Sequence, residues 1–199
     1  MTVIGMGRSP ALYSIKLSME NLYIYPQFYD DKKSLIERKF SKYVTNLWRY
    51  RSEIKFALYP DYVRLVFNLP QNIIYIYPVH DLKEDAEFYF KLKERYDVWA
   101  GYASNEKLRN YSLDEFLDVF RNEKKWYLGI SSKRELTEAI NNDFDGFDIT
   151  TMVLGKFKQI RDPNFVVKKL QRIARLAQGK QTRITEFLSV NSPVNVVRT

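Results

Sequence analysis

The sequence predicts an α/β protein built on a parallel sheet. Short apolar segments rich in Ile, Val, Tyr and Phe alternate with helical patterns of about ten or more residues, and such alternation is typical of parallel βαβ units. The strand segments are apolar on both faces, as expected when helices cover both sides of a sheet. No glycine-rich dinucleotide fingerprint or P-loop occurs, which counts against a nucleotide-binding open sheet. Six or seven strands can close as a small β/α barrel or stay open as a doubly wound sheet, and the pattern alone leaves both possible.

The first half of the chain predicts four strands and one long helix. Pro26, Pro60 and Pro78 are expected to end strands, because proline cannot donate a ladder hydrogen bond. Apolar residues recur at helical spacing from Asp31 to Arg51, which predicts one helix there. The predicted strands are 14–19, 22–25, 54–59 and 73–77.

In the second half, helix starts are the clearest signals. Asp81, Ser112 and Ser132 each precede a glutamate by three residues, which is the spacing of a capping box. A last helix is expected to begin at Pro163 and to end at Gly179, following the preference for proline at helix starts and glycine after helix ends. The first three helices are expected to end near 96, 122 and 142, and the strands are 98–103, 125–131 and 146–150.

The residue types present exclude several classes of chemistry. The chain has no cysteine and one histidine, His80, so disulfides, thiolate nucleophiles, Cys-based zinc or iron–sulfur sites and multi-histidine metal sites are excluded. No catalytic triad or HExxH motif is found. No metal and no cofactor are therefore expected. His80 follows a predicted strand and is expected to be a hydrogen-bonded structural residue.

Length and composition favour one intracellular domain. A chain of 199 residues with 45% hydrophobic residues can bury a substantial core. No apolar segment is long enough to span a bilayer, and residues 1–10 lack the apolar run of a signal peptide. A cytoplasmic location and no membrane partner are expected.

The net charge of +8 is concentrated in one segment. Residues 156–183 contain nine Lys or Arg residues and one acidic residue, so nine minus one accounts for the whole excess. A concentrated basic surface suits a polyanionic partner, and a solvated helix face is the alternative. The residues expected to bind a nucleic-acid backbone are Lys168, Lys169, Arg172 and Arg175.

Residues 126–131 and 143–148 resemble the signature region of the tRNA-guanine transglycosylase superfamily. They read Trp-Tyr-Leu-Gly-Ile-Ser and Asp-Phe-Asp-Gly-Phe-Asp. That superfamily has a TIM-barrel fold and exchanges a guanine base for a deazaguanine derivative in tRNA or DNA. The resemblance implies a reduced TIM-like β/α barrel, and the residue pattern adds a C-terminal basic helix and a flexible tail. The predicted boundaries are 1–160 for the barrel, 161–179 for the helix and 180–199 for the tail.

The resemblance also implies catalytic roles for three carboxylates. Asp148 matches the family's nucleophile, which attacks C1′ of the sugar as the base leaves and forms a covalent intermediate. Asp61 would hydrogen-bond the guanine edge, Asp145 would support Asp148, and the backbone around Gly101 would approach the base. From the residues alone, Asp148 and Asp61 are equally explained as turn residues, and Gly101 as a position of close packing.

A segment near the C-terminus resembles the PIP box, the peptide by which replication and repair proteins bind the sliding clamp PCNA. It reads Gln-Thr-Arg-Ile-Thr-Glu-Phe-Leu over residues 181–188. One helical turn would place Ile184, Phe187 and Leu188 on one face as a hydrophobic plug, with Gln181 free to bond a separate pocket. A frayed helix end that packs on its own domain is the alternative.

Three functions fit these patterns. The first is an enzyme tethered to PCNA that acts on a guanine-type base in nucleic acid, DNA more than RNA. The second is a non-catalytic PCNA-binding replication or repair accessory factor. The third is an RNA-directed base-exchange relative.

Overall fold

A computed structural model of the protein describes residues 2–9, 19–61, 63–156 and 158–178. Within these residues, eight strands form one sheet in the order β2-β1-β8-β7-β6-β5-β4-β3, and every pairing is parallel. The strands are β1 (Val3–Met6), β2 (Leu22–Ile24), β3 (Phe28–Tyr29), β4 (Phe56–Leu58), β5 (Ile74–Val79), β6 (Val98–Ala103), β7 (Lys125–Ile130) and β8 (Gly146–Ile149). The helices are α1 (Lys32–Ile36), α2 (Phe40–Arg49), α3 (Leu82–Lys93), α4 (Leu113–Val119), α5 (Lys133–Asn141), α6 (Thr151–Leu154) and α7 (Pro163–Gln178).

The strands at the two ends of this order are neighbours in the chain. Only residues 25–27 separate β2 from β3, and the backbone N–H of Gln27 donates to the carbonyl of Ile24 across that turn. β2 pairs with β1, and β3 pairs with β4, so one bent segment joins both ends of the sheet. The sheet therefore curls into a nearly closed barrel, which confirms the predicted TIM-like β/α fold.

Strand β1 is absent from the sequence prediction, although it lies between β2 and β8 in the sheet. It is four residues long and contains Gly5, so its pattern is too short to stand out. The strand predicted at 14–19 lies outside the described residues except for Met19, which forms an isolated bridge with Leu22.

The helix predicted from Asp31 to Arg51 is divided into α1 and α2. Arg38 between them has a φ of 54°, a left-handed conformation that does not continue an α-helix. The change of direction lets Tyr43 of α2 reach the core, where its hydroxyl donates to the carbonyl of Leu58 at 2.6 Å. The break therefore allows α2 to pack against the end of β4.

Strand β5 continues through Pro78, where the prediction ended it. The carbonyl of Ile76 accepts from the N–H of Tyr59, so Ile76 faces β4, and Pro78 faces the same way two residues later. β4 ends at Leu58, which pairs with Ile76. The missing N–H of Pro78 therefore lies beyond the ladder and leaves no strand partner unsatisfied.

The predicted helix starts are confirmed. The side chains of Asp81, Ser112 and Ser132 each accept a hydrogen bond from the backbone N–H three residues later. The basic helix α7 packs on the barrel by its apolar face, whose buried residues are Val166, Leu170, Ile173 and Ala174. No helix in the described part of the chain is both long and apolar enough to cross a membrane.

Aromatic rings from four strands fill the barrel interior. The ring of Trp126 on β7 stacks on Phe28 of β3, with centroids 5.4 Å apart and planes within 5°. Phe56 of β4 and Trp99 of β6 lie 5.4 and 6.0 Å from the same indole. Such rings contribute large buried areas and defined contact geometries, so Trp126 is the centre of the core.

Glycines in β1 and β8 make room for this indole. A Cβ atom on Gly146 would lie 2.5 Å from Cζ3 of Trp126, and one on Gly5 would lie 2.8 Å from Cζ2. Both distances are far below van der Waals contact. The two glycines therefore let the indole of Trp126 pack directly against β8 and β1.

Candidate active site

The carboxyl end of β3 places a buried carboxylate at the mouth of the barrel. The side chain of Asp30 is 10% exposed, and its Oδ2 lies 3.7 Å from Nζ of Lys32. Its other oxygen, Oδ1, is buried and has no hydrogen-bond partner among the described residues. Buried polar atoms normally have a partner, so an unpartnered buried carboxylate oxygen is unusual and marks Asp30 as a candidate functional group.

Burial raises the pKa of Asp30 to about 7, because removal from water disfavours the charged carboxylate. The Lys32 ammonium opposes this shift. The nearby carboxylates of Asp148, Asp31 and Asp61 add to it. A carboxyl group with a pKa near 7 can donate or accept a proton at neutral pH.

Asp148 is a second buried carboxylate and lies near the carboxyl end of β8. Its Oδ1 accepts hydrogen bonds from Nε1 of Trp126 and from the backbone N–H of Gly129, both at 3.0 Å. Burial raises the pKa of Asp148, although Lys32 and these two donors partly offset the rise. The two donors fix the orientation of the carboxylate, as a nucleophile or an electrostatic stabiliser requires.

An irregularity in β7 supplies the backbone donor. The pairing of β7 with β8 shifts register between Tyr127 and Ile130, and Gly129 has a φ of 70°, which glycine adopts readily. The shift turns the N–H of Gly129 toward Asp148 instead of along the ladder. Sequence reasoning missed this donor because a backbone N–H carries no residue-type signal.

Lys32 connects the carboxylates electrostatically. Burial lowers the pKa of its ammonium group, but Asp30 and Asp148, with Asp61, raise it more. Lys32 therefore remains a cation at the mouth of the barrel. Sequence reasoning missed both Asp30 and Lys32, because it ended the strand at Tyr25 and so did not place Asp30 at a strand end.

Asp61 follows β4 and pairs with His80. Its Oδ2 lies 3.1 Å from Nε2 of His80, while Nδ1 of His80 lies 2.7 Å from the carbonyl oxygen of Leu108. Burial lowers the pKa of His80, but these two acceptors raise it more, so the net shift is upward. His80 is thus hydrogen-bonded at both ring nitrogens, as the sequence predicted. It also lines a cavity of about 490 Å³ that includes Arg64.

Asp145 does not have the role implied by the resemblance, and Gly101 is a position of close packing. Asp145 precedes β8, where its carboxylate bonds to Nζ of Lys124 at 2.6 Å and to the N–H of Lys125 at 3.0 Å. It therefore lies at the amino end of the strand and does not support Asp148. A Cβ atom on Gly101 would lie 2.9 Å from the side chain of Leu128, so close packing accounts for this glycine.

Three of the four basic residues predicted on α7 line a cavity of about 820 Å³. They are Lys168, Lys169 and Arg172, and the cavity lies between α7, the start of α5 and the segment after β8. Arg175 is exposed on α7 and is not part of this lining. The structure therefore gathers most of the predicted cations into a concave site.

The residues predicted to bind PCNA lie outside the described residues, as does the whole segment 179–199. They are Gln181, Ile184, Phe187 and Leu188.

Among the residues that the structure describes, no group of three or more His, Cys, Asp or Glu side chains is arranged to hold a metal ion.

Comparison with known proteins identifies a close viral relative. The uncharacterized protein ORF192 of Acidianus two-tailed virus is 42% identical over 187 residues, which cover 90% of this chain and 96% of that protein. The crystal structure of thiamine phosphate pyrophosphorylase from Bacteroides thetaiotaomicron superposes with a TM-score of 0.45 at 14% identity, over 92% of this chain and 100% of that chain. No family model matches the sequence.

Proposed function

We propose that this chain, which belongs to the family of protein ORF192 of Acidianus two-tailed virus, is a nucleic-acid-associated enzyme that acts on a base at the mouth of its barrel. The observation that carries the proposal is the pair of buried carboxylates, Asp30 and Asp148, coupled to one lysine, Lys32. Active sites of TIM barrels lie at the carboxyl ends of the strands. The similarity to the transglycosylase signature favours a guanine-type base and the sugar C1′ as the reacting groups.

The two carboxyl groups suit different steps of base exchange. The Asp148 carboxylate attacks C1′ and forms a C1′–O bond as the bond from C1′ to the base breaks. Asp30, with a pKa of about 7, donates a proton to the leaving base. A second base or water then attacks C1′ and gives its proton to the Asp30 carboxylate, while the C1′–O bond breaks and releases the Asp148 carboxylate. Two carboxyl groups in different environments commonly divide acid and nucleophile roles in this way.

Trapping of a covalent adduct tests the proposal. Wild-type protein incubated with guanine-containing DNA or RNA is expected to yield a protein–nucleic acid adduct on a denaturing gel, and Asp148→Asn is expected to yield none. Asp97→Asn is the matched control, because Asp97 precedes β6 at the opposite end of the barrel. An adduct that forms equally in wild type and Asp148→Asn would exclude Asp148 as the nucleophile.

The pH profile of adduct formation provides a second readout. The rate is expected to fall above about pH 7, because Asp30 then loses the proton that the leaving base requires. It is also expected to fall at low pH, where Asp148 becomes protonated. Comparison of the DNA and RNA arms separates the DNA-directed enzyme from the RNA-directed alternative.

A second candidate function is that of a non-catalytic clamp-binding accessory protein. The PIP-like segment at 181–188 favours it. In that case the barrel would act only as a scaffold, and clamp binding would occur without any adduct.

A further inference from the structure

We infer that the basic cavity beside α7 is a binding site for the phosphate group of a nucleotide or of a nucleic-acid chain. Five cationic side chains from three parts of the fold line this space of about 820 Å³. Lys168, Lys169 and Arg172 come from α7, Lys133 from the start of α5, and Lys156 from the segment after α6. Cations that converge on a concave site bind a compact anion more selectively than a flat basic face does.

The charged side chains are the main groups that the cavity offers to an anion. Glu135 accepts hydrogen bonds from the backbone N–H groups of Ser131 and Ser132, the two residues that precede α5. The N–H of Glu135 in turn donates to the Ser132 hydroxyl. These backbone groups are therefore already bonded, and the lysine and arginine side chains carry the charge that would hold an anion.

The cations are close enough to affect one another. Burial lowers the pKa of Lys169, and the positive charges of Lys133 and Arg172 lower it further. Like charges held together in this way repel. A bound phosphate would be attracted by all three charges at once, so the arrangement favours an anionic ligand.

The cavity also has apolar lining residues. Met152, Val153, Leu154 and Phe165 line it, and Met152 is 73% exposed although it is a large apolar side chain. A site lined by both cationic and apolar side chains suits a ligand that combines a phosphate with a sugar and a base. The volume lies within the range of roughly 300–1,000 Å³ that small-molecule sites occupy.

The cavity adjoins the candidate active site along the chain. β7 carries Gly129 and leads into Ser131 and Ser132, while β8 carries Asp148 and leads into α6. The choice of a nucleotide as ligand rests on the proposed function, whereas phosphate binding does not. Failure of the adduct experiment would leave phosphate binding intact, so the two proposals can fail separately.

Equilibrium binding to full-length protein at low ionic strength tests the inference. The probes are inorganic phosphate, guanosine 5′-monophosphate, guanosine without phosphate, and a short single-stranded DNA. Lys169→Ala and Arg172→Ala are each expected to weaken guanosine 5′-monophosphate binding about tenfold or more, since each removes a charge-assisted bond to the phosphate. Lys169→Arg is expected to retain binding. Lys91→Ala on α3, an exposed lysine outside the cavity, is the charge-matched control.

The outcomes are distinct. Binding of guanosine 5′-monophosphate and phosphate, but not of guanosine, with loss in both cavity variants at unchanged thermal stability, would support the site. Competition between this nucleotide and DNA would show that one site receives phosphate from both sources. Three results would overturn the inference. They are no binding of any phosphate probe, binding that the cavity variants leave unchanged, and binding of DNA alone that Arg175→Ala weakens as much as the cavity variants do.

Discussion

At the scale of the residue, Asp30 is a buried carboxyl group in an environment that disfavours its charged form. Its carboxylate is 10% exposed, its Oδ1 has no hydrogen-bond partner among the described residues, and its pKa is about 7 against an ordinary value of 3.8. A group held in such an environment lowers stability when it ionises. Natural sequences retain such groups mainly where function requires them.

We predict that Asp30→Asn stabilises the protein in a pH-dependent way. The folded state binds the Asp30 proton more tightly than the unfolded state does, so the wild-type unfolding free energy falls as pH rises from about 4 to 7. Asparagine is neutral throughout this range. The difference between variant and wild type should therefore be small at pH 4 and should grow to at most about 4 kcal/mol above pH 7.

Urea denaturation at several pH values measures this difference. Asp114→Asn is the control, because Asp114 is an exposed carboxylate in the first turn of α4. A difference between Asp30→Asn and wild type that does not change with pH would contradict the raised pKa. Asp30→Asn is also expected to lose adduct formation although it gains stability, which would show that the loss of activity is not a loss of folding.

At the scale of the element, the barrel depends on the close approach of the Trp126 indole on β7 to strands β8 and β1. Trp126 lies against Gly146 and Gly5, and its indole N–H bonds to Asp148. The same side chain therefore fills the core and orients a candidate catalytic group. Packing and site geometry are coupled through this one residue.

We predict that Gly146→Ala lowers the unfolding free energy by about 1–3 kcal/mol, because the added methyl group overlaps the indole of Trp126. Denaturant unfolding measures the change. In a Trp126→Phe background the same substitution should cost less, since the smaller ring leaves room for the methyl group. Equal costs in the two backgrounds would show that Trp126 is not the obstacle.

At the scale of the whole molecule, the basic helix and the PIP-like segment are adjacent in the chain. α7 packs its apolar face on the barrel, and the segment at 181–188 follows it directly. If the segment binds a sliding clamp, the barrel mouth and the basic cavity would be held close to DNA. Clamp binding remains a prediction from the sequence.

We predict that the protein binds PCNA in a pull-down and that the double variant Ile184→Ala/Phe187→Ala weakens this binding at least tenfold. Anchors of this type commonly carry most of the energy of a peptide interface. Val196→Ala, in the same tail but outside the motif, is the matched control. Unchanged binding of the double variant would remove the clamp hypothesis.

Features set by neighbouring residues were predictable from the sequence. The starts of α3, α4 and α5 follow from caps at Asp81, Ser112 and Ser132, because a cap bonds to a backbone group only three residues away. The apolar face of α7 and the alternation of strands and helices were likewise predicted from residues close together in the chain. Asp148 was identified by its resemblance to a known motif, and its burial at the barrel mouth is a structural result.

Other features were decided only by the tertiary structure. Closure of the sheet depends on a bent segment that pairs with β1 on one side and β4 on the other, and Asp30 becomes unusual only because that segment carries it into the mouth. The N–H of Gly129 reaches Asp148 through a register shift between two strands. These hydrogen bonds, and the burial that raises the pKa of Asp30, come from residues far apart in the chain. Their effect on a residue therefore cannot be predicted from the sequence around it.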